Sequence, residues 1–113
     1  MNYRGRHVTL DAWLASMPSA GALVEACERA IEASGMSVVC SVRKDFRPQG
    51  LTAVWVLEES HLTIHTYPEH AYLSVDCYTC GDEGNPKAAI DELLRLLPVS
   101  RSSVQALVRG QAA

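Results

Sequence analysis

His61-Leu62-Thr63-Ile64-His65-Thr66-Tyr67, then Pro68-Glu69-His70, then Ala71-Tyr72-Leu73-Ser74-Val75-Asp76-Cys77-Tyr78-Thr79, decides the fold. Successive side chains of a strand point to opposite faces, so parity assigns each residue a side. In the first run His61, Thr63, His65 and Tyr67 share one parity and Leu62 and Ile64 the other. In the second, Ala71, Leu73, Val75 and Cys77 share one, and Tyr72, Ser74, Asp76, Tyr78 and Cys80 the other. The proline between the runs marks a turn. The pattern predicts a hairpin with an apolar face for a core and a polar face rich in chemistry.

Upstream, residues 51–58 carry Val54, Trp55, Val56 and Leu57 in a nearly continuous apolar run, expected as a buried strand. Before it, residues 36–43, with Val38, Val39, Cys40 and Val42, read as a strand that Arg47-Pro48-Gln49-Gly50 ends. From Ser19 to Ala33 the residues Leu23, Cys27, Ala30 and Ile31 recur at helical spacing, and Ser34-Gly35 is a stop signal. Residues 7–14 supply a first strand. Downstream of the hairpin comes a linker, Gly81-Asp82-Glu83-Gly84, after which Asn85 is a candidate N-cap and Pro86 suits the first helical turn. The helix is expected to run to Leu97, burying Ile90, Leu93, Leu94 and Leu97. A last strand over residues 103–108 leads into a polar tail. The order β-α-β-β-β-β-α-β predicts an α+β two-layer sandwich, a mostly antiparallel sheet with both helices on one face, in a single domain spanning residues 1–113.

The formal charge of -3 is spread without a basic stripe, so nucleic acid is not an expected partner. No apolar run approaches the ~20 residues of a membrane span, and Met1-Asn2-Tyr3-Arg4-Gly5-Arg6 leads into a strand rather than a signal-peptide core. The expected setting is cytoplasmic, with no membrane association and with the four cysteines reduced.

Ser60, His61, His65, Cys77 and Cys80 supply a hydroxyl, imidazoles and thiols within one short stretch. His61 and His65 share a strand face but stand two residue repeats apart, too far to share a metal; each alone reads as a hydrogen-bonded histidine on a sheet. Cys77 and Cys80, three apart in a strand, point to opposite faces, which leaves Cys77 in the core and Cys80 on the polar side. Cys27 and Cys40 read as small buried hydrophobes. No G-x-S-x-G surrounds Ser60, so the residues alone leave it either a turn serine or a nucleophile.

The block Glu59-Ser60-His61-Leu62-Thr63-Ile64-His65-Thr66-Tyr67-Pro68-Glu69, continued by Asp76-Cys77-Tyr78-Thr79-Cys80-Gly81, resembles the processing and active-site segment of the prokaryotic S-adenosylmethionine decarboxylase proenzymes. Weaker similarity extends to Gly5-Arg6-His7, to Phe46-Arg47-Pro48-Gln49-Gly50 and to the helix after Pro86. The resemblance implies self-cleavage between Glu59 and Ser60 into a β chain, residues 1–59, and an α chain, residues 60–113. It implies that Ser60 becomes a pyruvoyl group that forms a Schiff base with the substrate and acts as electron sink. It further implies that His65 is the processing base, that Cys80 is the catalytic proton donor, and that no metal is needed. Thr52 stands where the family carries a serine that assists maturation. Phe46 matches an aromatic residue that stacks on adenine, and Glu69 is a candidate for contacting polar groups of the substrate.

The activity so implied is conversion of S-adenosylmethionine to its decarboxylated form and CO2 for polyamine, that is spermidine, biosynthesis. A pyruvoyl-dependent decarboxylase of L-ornithine or L-arginine is the alternative within the family. An unprocessed, non-catalytic partner subunit is the alternative outside enzymology. The family builds its sites between two protomers, so a homodimer of processed αβ units acting on a small-molecule substrate is expected.

Overall fold

The computed structural model describes residues 3–81 and 84–111; Met1, Asn2, the linker residues Asp82 and Glu83, and the tail residues Ala112 and Ala113 lie outside the described residues. Six strands and two helices follow in the expected order: β1 (Gly5–Leu14), α1 (Ala20–Ala33), β2 (Val38–Asp45), β3 (Leu51–Leu57), β4 (Ser60–Tyr67), β5 (Tyr72–Cys80), α2 (Pro86–Leu96) and β6 (Val99–Arg109). A single 3-10 turn, Pro68–His70, joins β4 to β5. The strands form one sheet in the order β2-β3-β4-β5-β1-β6, and every neighbouring pair is antiparallel.

Both helices begin on the caps that the sequence marks. Ser19 Oγ accepts from Ala22 N at 3.1 Å, and Asn85 Oδ1 accepts from Ala88 N at 3.1 Å, each satisfying one of the amides that a helix start leaves unpaired. Helix α1 buries Leu23, Ala26, Cys27, Ala30 and Ile31. Its Glu28 carboxylate accepts from Trp55 Nε1 at 3.3 Å, which places α1 over β3. Helix α2 packs on β1 and β5 and against α1. The helices therefore share one face, against Val8, Leu10, Ala53, Trp55, Leu62, Ile64, Leu73 and Val75, all nearly fully buried. Each fully buried aliphatic side chain of this set contributes about 1.5–3 kcal/mol by leaving water.

Three expectations change. Residues 51–58 are not buried on both sides: Leu51, Ala53, Trp55 and Leu57 are buried, whereas Val56 is 42% exposed, because no second layer among the described residues covers the other face of the sheet. Cys40 is exposed rather than buried, as are Val39 and Val42, because β2 is an edge strand beyond the reach of the helices. The last strand is also longer than expected, since its whole length pairs with β1 from Gly5 to Leu14.

Arg6 ties the ends of the β5–α2 linker to the sheet, donating to Gly84 O at 3.0 Å and Gly81 O at 3.4 Å. At the other end of the molecule, Phe46 N donates to Gly50 O at 2.9 Å and closes the β2–β3 loop. That closure needs φ +109° at position 50, in the region where glycine alone is unstrained.

Candidate active site

The residues singled out in the sequence fall into two groups at opposite ends of the β4–β5 hairpin. Glu59, Ser60 and Cys80 form the first. The β3–β4 turn places Glu59 at φ +58°, a left-handed conformation that costs a non-glycine residue about 1–2 kcal/mol. The backbone N–H of Cys80 donates to the Glu59 carbonyl oxygen at 3.0 Å. Ser60 is almost fully buried, with Oγ 2.6 Å from Thr79 Oγ1 and 3.1 Å from Glu58 O; its one proton can serve only one of them. Thr79, itself fully buried, is the partner that sequence reading overlooked, although the hairpin register pairs it directly with Ser60.

Cys77 and Cys80 diverge as strand parity requires. Cys77 is buried, and burial together with the nearby Asp76 charge pushes its thiol up to about 12, leaving it protonated and inert at neutral pH. Cys80 is only partly buried and meets the Tyr78 phenol. The hydrogen bond to Cys80, with smaller contributions from burial and the Cys80 charge, raises the Tyr78 pKa, while Arg109 acts the other way.

Phe46, Thr52, His65 and Glu69 form the second group, lining one cleft of about 270 Å³ with Gln49, Tyr67 and neighbouring backbone. Thr52 and His65 are direct cross-strand partners, and Thr52 Oγ1 lies 3.0 Å from His65 Nδ1. The Phe46 ring is half exposed, and Lys44 Nζ already sits 5.9 Å from its centre, so its face accepts a cation. The cleft falls just short of the ~300–1,000 Å³ of a complete small-molecule pocket.

Within one chain these groups do not meet. Ser60 and His65 are five residues apart on β4, about 17 Å at ~3.4 Å per residue, and the odd separation points them to opposite faces. His61 and His65 do not partner each other either: His65 turns to Thr52, whereas His61 joins His7 and Asp76 on β1 and β5.

Asp76 is the electrostatic centre of this third cluster. Burial works to raise its pKa, but hydrogen bonds from Thr63 and His7 and the charges of His61 and His7 outweigh it, so the carboxyl titrates below the usual carboxylate range. A depressed folded-state pKa gives stability that is present above the unfolded value, about 4, and is lost as pH falls through the folded value. Asp76→Asn is expected to cost about 1.5–3 kcal/mol at pH 5, from the lost charge-assisted hydrogen bonds. Urea unfolding of both proteins should show the deficit shrinking as pH falls below about 4. A deficit that stays constant down to pH ~2 would contradict this assignment.

The S-adenosylmethionine decarboxylase family model matches residues 6–110. An S-adenosylmethionine decarboxylase proenzyme of Brevibacillus brevis is 42% identical over 109 residues, covering 94% of this chain and 82% of the relative. A proenzyme of the same name from Symbiobacterium thermophilum is 40% identical over 112 residues, covering 96% and 85%. The crystal structure of the adenosylmethionine decarboxylase from Aquifex aeolicus superposes with a TM-score of 0.87 at 29% identity, covering 100% of this chain and 96% of that one.

Proposed function

The chain belongs to the S-adenosylmethionine decarboxylase family, and on that premise we propose that it is a self-processing, pyruvoyl-dependent decarboxylase. It converts S-adenosylmethionine to decarboxylated S-adenosylmethionine and CO2 for spermidine synthesis in the cytoplasm, where its four free cysteines stay reduced. The observation that carries this reading is the state of the Glu59–Ser60 bond. Its carbonyl is already polarised by the Cys80 N–H, its acyl residue is held at φ +58°, and the adjacent hydroxyl is shielded from bulk water.

Ser60 Oγ adds to the Glu59 carbonyl carbon, and the Cys80 N–H stabilises the oxyanion that forms. The C–N bond then breaks, the nitrogen takes a proton, and Glu59 is left as an ester on Oγ. A base removes the α-proton of residue 60, and the Glu59 carboxylate leaves with the C–O electron pair. The resulting dehydroalanine hydrolyses to a ketone with loss of ammonia, giving chains 1–59 and 60–113. When formed, the pyruvoyl group supplies an electron-accepting carbonyl for loss of CO2. Cys80, one residue beyond the serine's cross-strand partner, returns the proton to the substrate carbon.

His65 is the processing base, supplied by a second copy of the chain, because it stands about 17 Å along the strand from its own Ser60. The uncovered face of the sheet is the surface for that copy. Val42, Val56, Tyr67 and Leu107 lie exposed on it, and an open sheet face with apolar side chains calls for cover. Pairing two such faces brings the cleft of one protomer, with Phe46 and Glu69 for the substrate and Thr52 and His65 for maturation, to the Ser60–Cys80 end of the other.

Thr52 acts through His65 as a positioning residue. Thr52→Val should slow cleavage about tenfold, the equivalent of one hydrogen bond of ~1.4 kcal/mol, while Thr52→Ser restores the rate. Densitometry of the cleavage time course decides it, and equal rates for the valine variant and the wild type would remove Thr52 from maturation. The substrate is tested by incubating the purified protein with carboxyl-labelled S-adenosylmethionine, ornithine or arginine. Labelled CO2 from the first supports the proposal. Labelled CO2 only from an amino acid would reassign the substrate within the same chemistry. A folded, uncleaved chain that releases none would leave a non-catalytic partner subunit.

A further inference from the structure

We propose that His7, His61 and Asp76 form a binding site for one divalent transition-metal ion of the zinc class, on the open face of the sheet, beside the Ser60–Cys80 group but sharing no residue with it. The site is built by topology. Strands β4, β5 and β1 are adjacent; His7 and His61 both stand directly opposite Tyr78, one on either side, and Asp76 is two residues earlier on the same face. The donors converge on one carboxylate oxygen: Asp76 Oδ2 lies 2.7 Å from His7 Nε2 and 3.4 Å from His61 Nε2. The three ligand atoms all fall within 4.8 Å of one another.

A tetrahedral ion with bonds of ~2.0–2.1 Å holds its ligand atoms about 3.3 Å apart. The Asp76–His61 spacing already meets this, the Asp76–His7 spacing needs to open by about 0.6 Å, and the two imidazole nitrogens close in from a separation of at most 4.8 Å. The sequence places His61 and His65 too far apart to share a metal and leads to an expectation of none; it does not reveal this cluster, because His7 arrives from the far end of the chain.

The surroundings fix the donors as metal ligands are fixed. Thr63 Oγ1 donates to Asp76 Oδ1, the carboxylate oxygen that the histidines leave free, and so orients the group. The Tyr78 ring holds both imidazoles. His61 stacks on it at 5.7 Å and 15°, and His7 meets it edge-on at 5.5 Å and 85°. Two imidazole nitrogens and one carboxylate oxygen suit zinc, cobalt, nickel or copper rather than the all-oxygen sites of magnesium and calcium. Three protein ligands leave a further coordination position open.

One consequence rests on the reading under Proposed function. If the chain is cut after Glu59, His7 belongs to one product and His61 and Asp76 to the other, so the ion would staple the two fragments across β1, β5 and β4.

The test uses the full-length protein, stripped with a chelator, equilibrated with Zn2+ or Co2+ and desalted, with metal content read by atomic emission and Co2+ coordination by its visible absorption. One ion per chain is expected, both in the wild type and in an uncleaved Ser60→Ala variant, so failure of the pyruvoyl reading would not disturb this result. His7→Gln and Asp76→Asn should each weaken binding about 100-fold with the circular dichroism spectrum retained, and Thr63→Val about 10- to 100-fold. The proposal is overturned if the stripped protein takes up no stoichiometric ion, or if uptake is the same in wild type, His7→Gln and Asp76→Asn. Should His7→Gln fail to fold, His61→Gln carries the same prediction at a more exposed ligand.

Discussion

Ser60→Ala should remain a single 12.3 kDa chain indefinitely and show no turnover of any amino-acid substrate. Alanine has no oxygen to accept the Glu59 acyl group, so no ester forms, no ketone appears, and nothing in the site can delocalise the electron pair left when CO2 departs. The effect on rate is total, whereas the effect on stability is small. The variant loses one hydrogen-bonding hydroxyl facing Thr79, worth about 0.5–1.5 kcal/mol, and keeps the Cys80 N–H bond to the Glu59 carbonyl, which is backbone to backbone. Mass spectrometry and thermal melting read the two effects separately. Cleavage at position 59 in the alanine protein would show that another nucleophile opens this bond.

The second large effect concerns the assembly. His65→Ala should cleave about 10²- to 10⁴-fold more slowly, the usual contribution of a positioned base. Mixing it with Ser60→Ala, under conditions that let subunits exchange, should restore cleavage of the His65→Ala chain alone. In a mixed dimer the intact Ser60 of one copy faces the intact His65 of the other, while the second site lacks both. If His65 instead acted within its own chain, no mixture of the two variants would cleave. The ~17 Å along β4 is what makes the first outcome the expected one. Size-exclusion chromatography should show dimers for both variants, since neither residue is among the apolar side chains of the open face.

Much of this architecture is local and therefore legible in the sequence. Ser19 and Asn85 announce their helices because a cap is decided by a few neighbouring residues, and the parities of β4 and β5 follow directly from alternating side chains. Cys77 and Cys80 separate for the same reason. What local pattern does not encode is which strands become neighbours. The insertion of β1 between β5 and β6 joins residues nearly the whole chain apart, and it alone brings His7 to Asp76 and His61. Cys40 and Val56 are exposed against expectation because hydrophobicity predicts burial only where a second layer exists, and one face of this sheet has none among the described residues. The candidate site shows the same division. Its stretch stands out because Ser60, His65 and Cys80 are crowded together, yet closeness in a strand means distance in space. Only the register reveals that Ser60 answers to Thr79 and His65 to Thr52.

The central claim is that the peptide link between positions 59 and 60 is converted into a ketone at the head of a new chain. The mass of the purified protein under denaturing conditions tests it most directly. Two species are expected, residues 1–59 and residues 60–113, the second lighter by one ammonia than a serine-headed fragment and shifted further on treatment with a hydrazine. A single species with the mass of the uncut chain and no reaction with hydrazine would contradict the account.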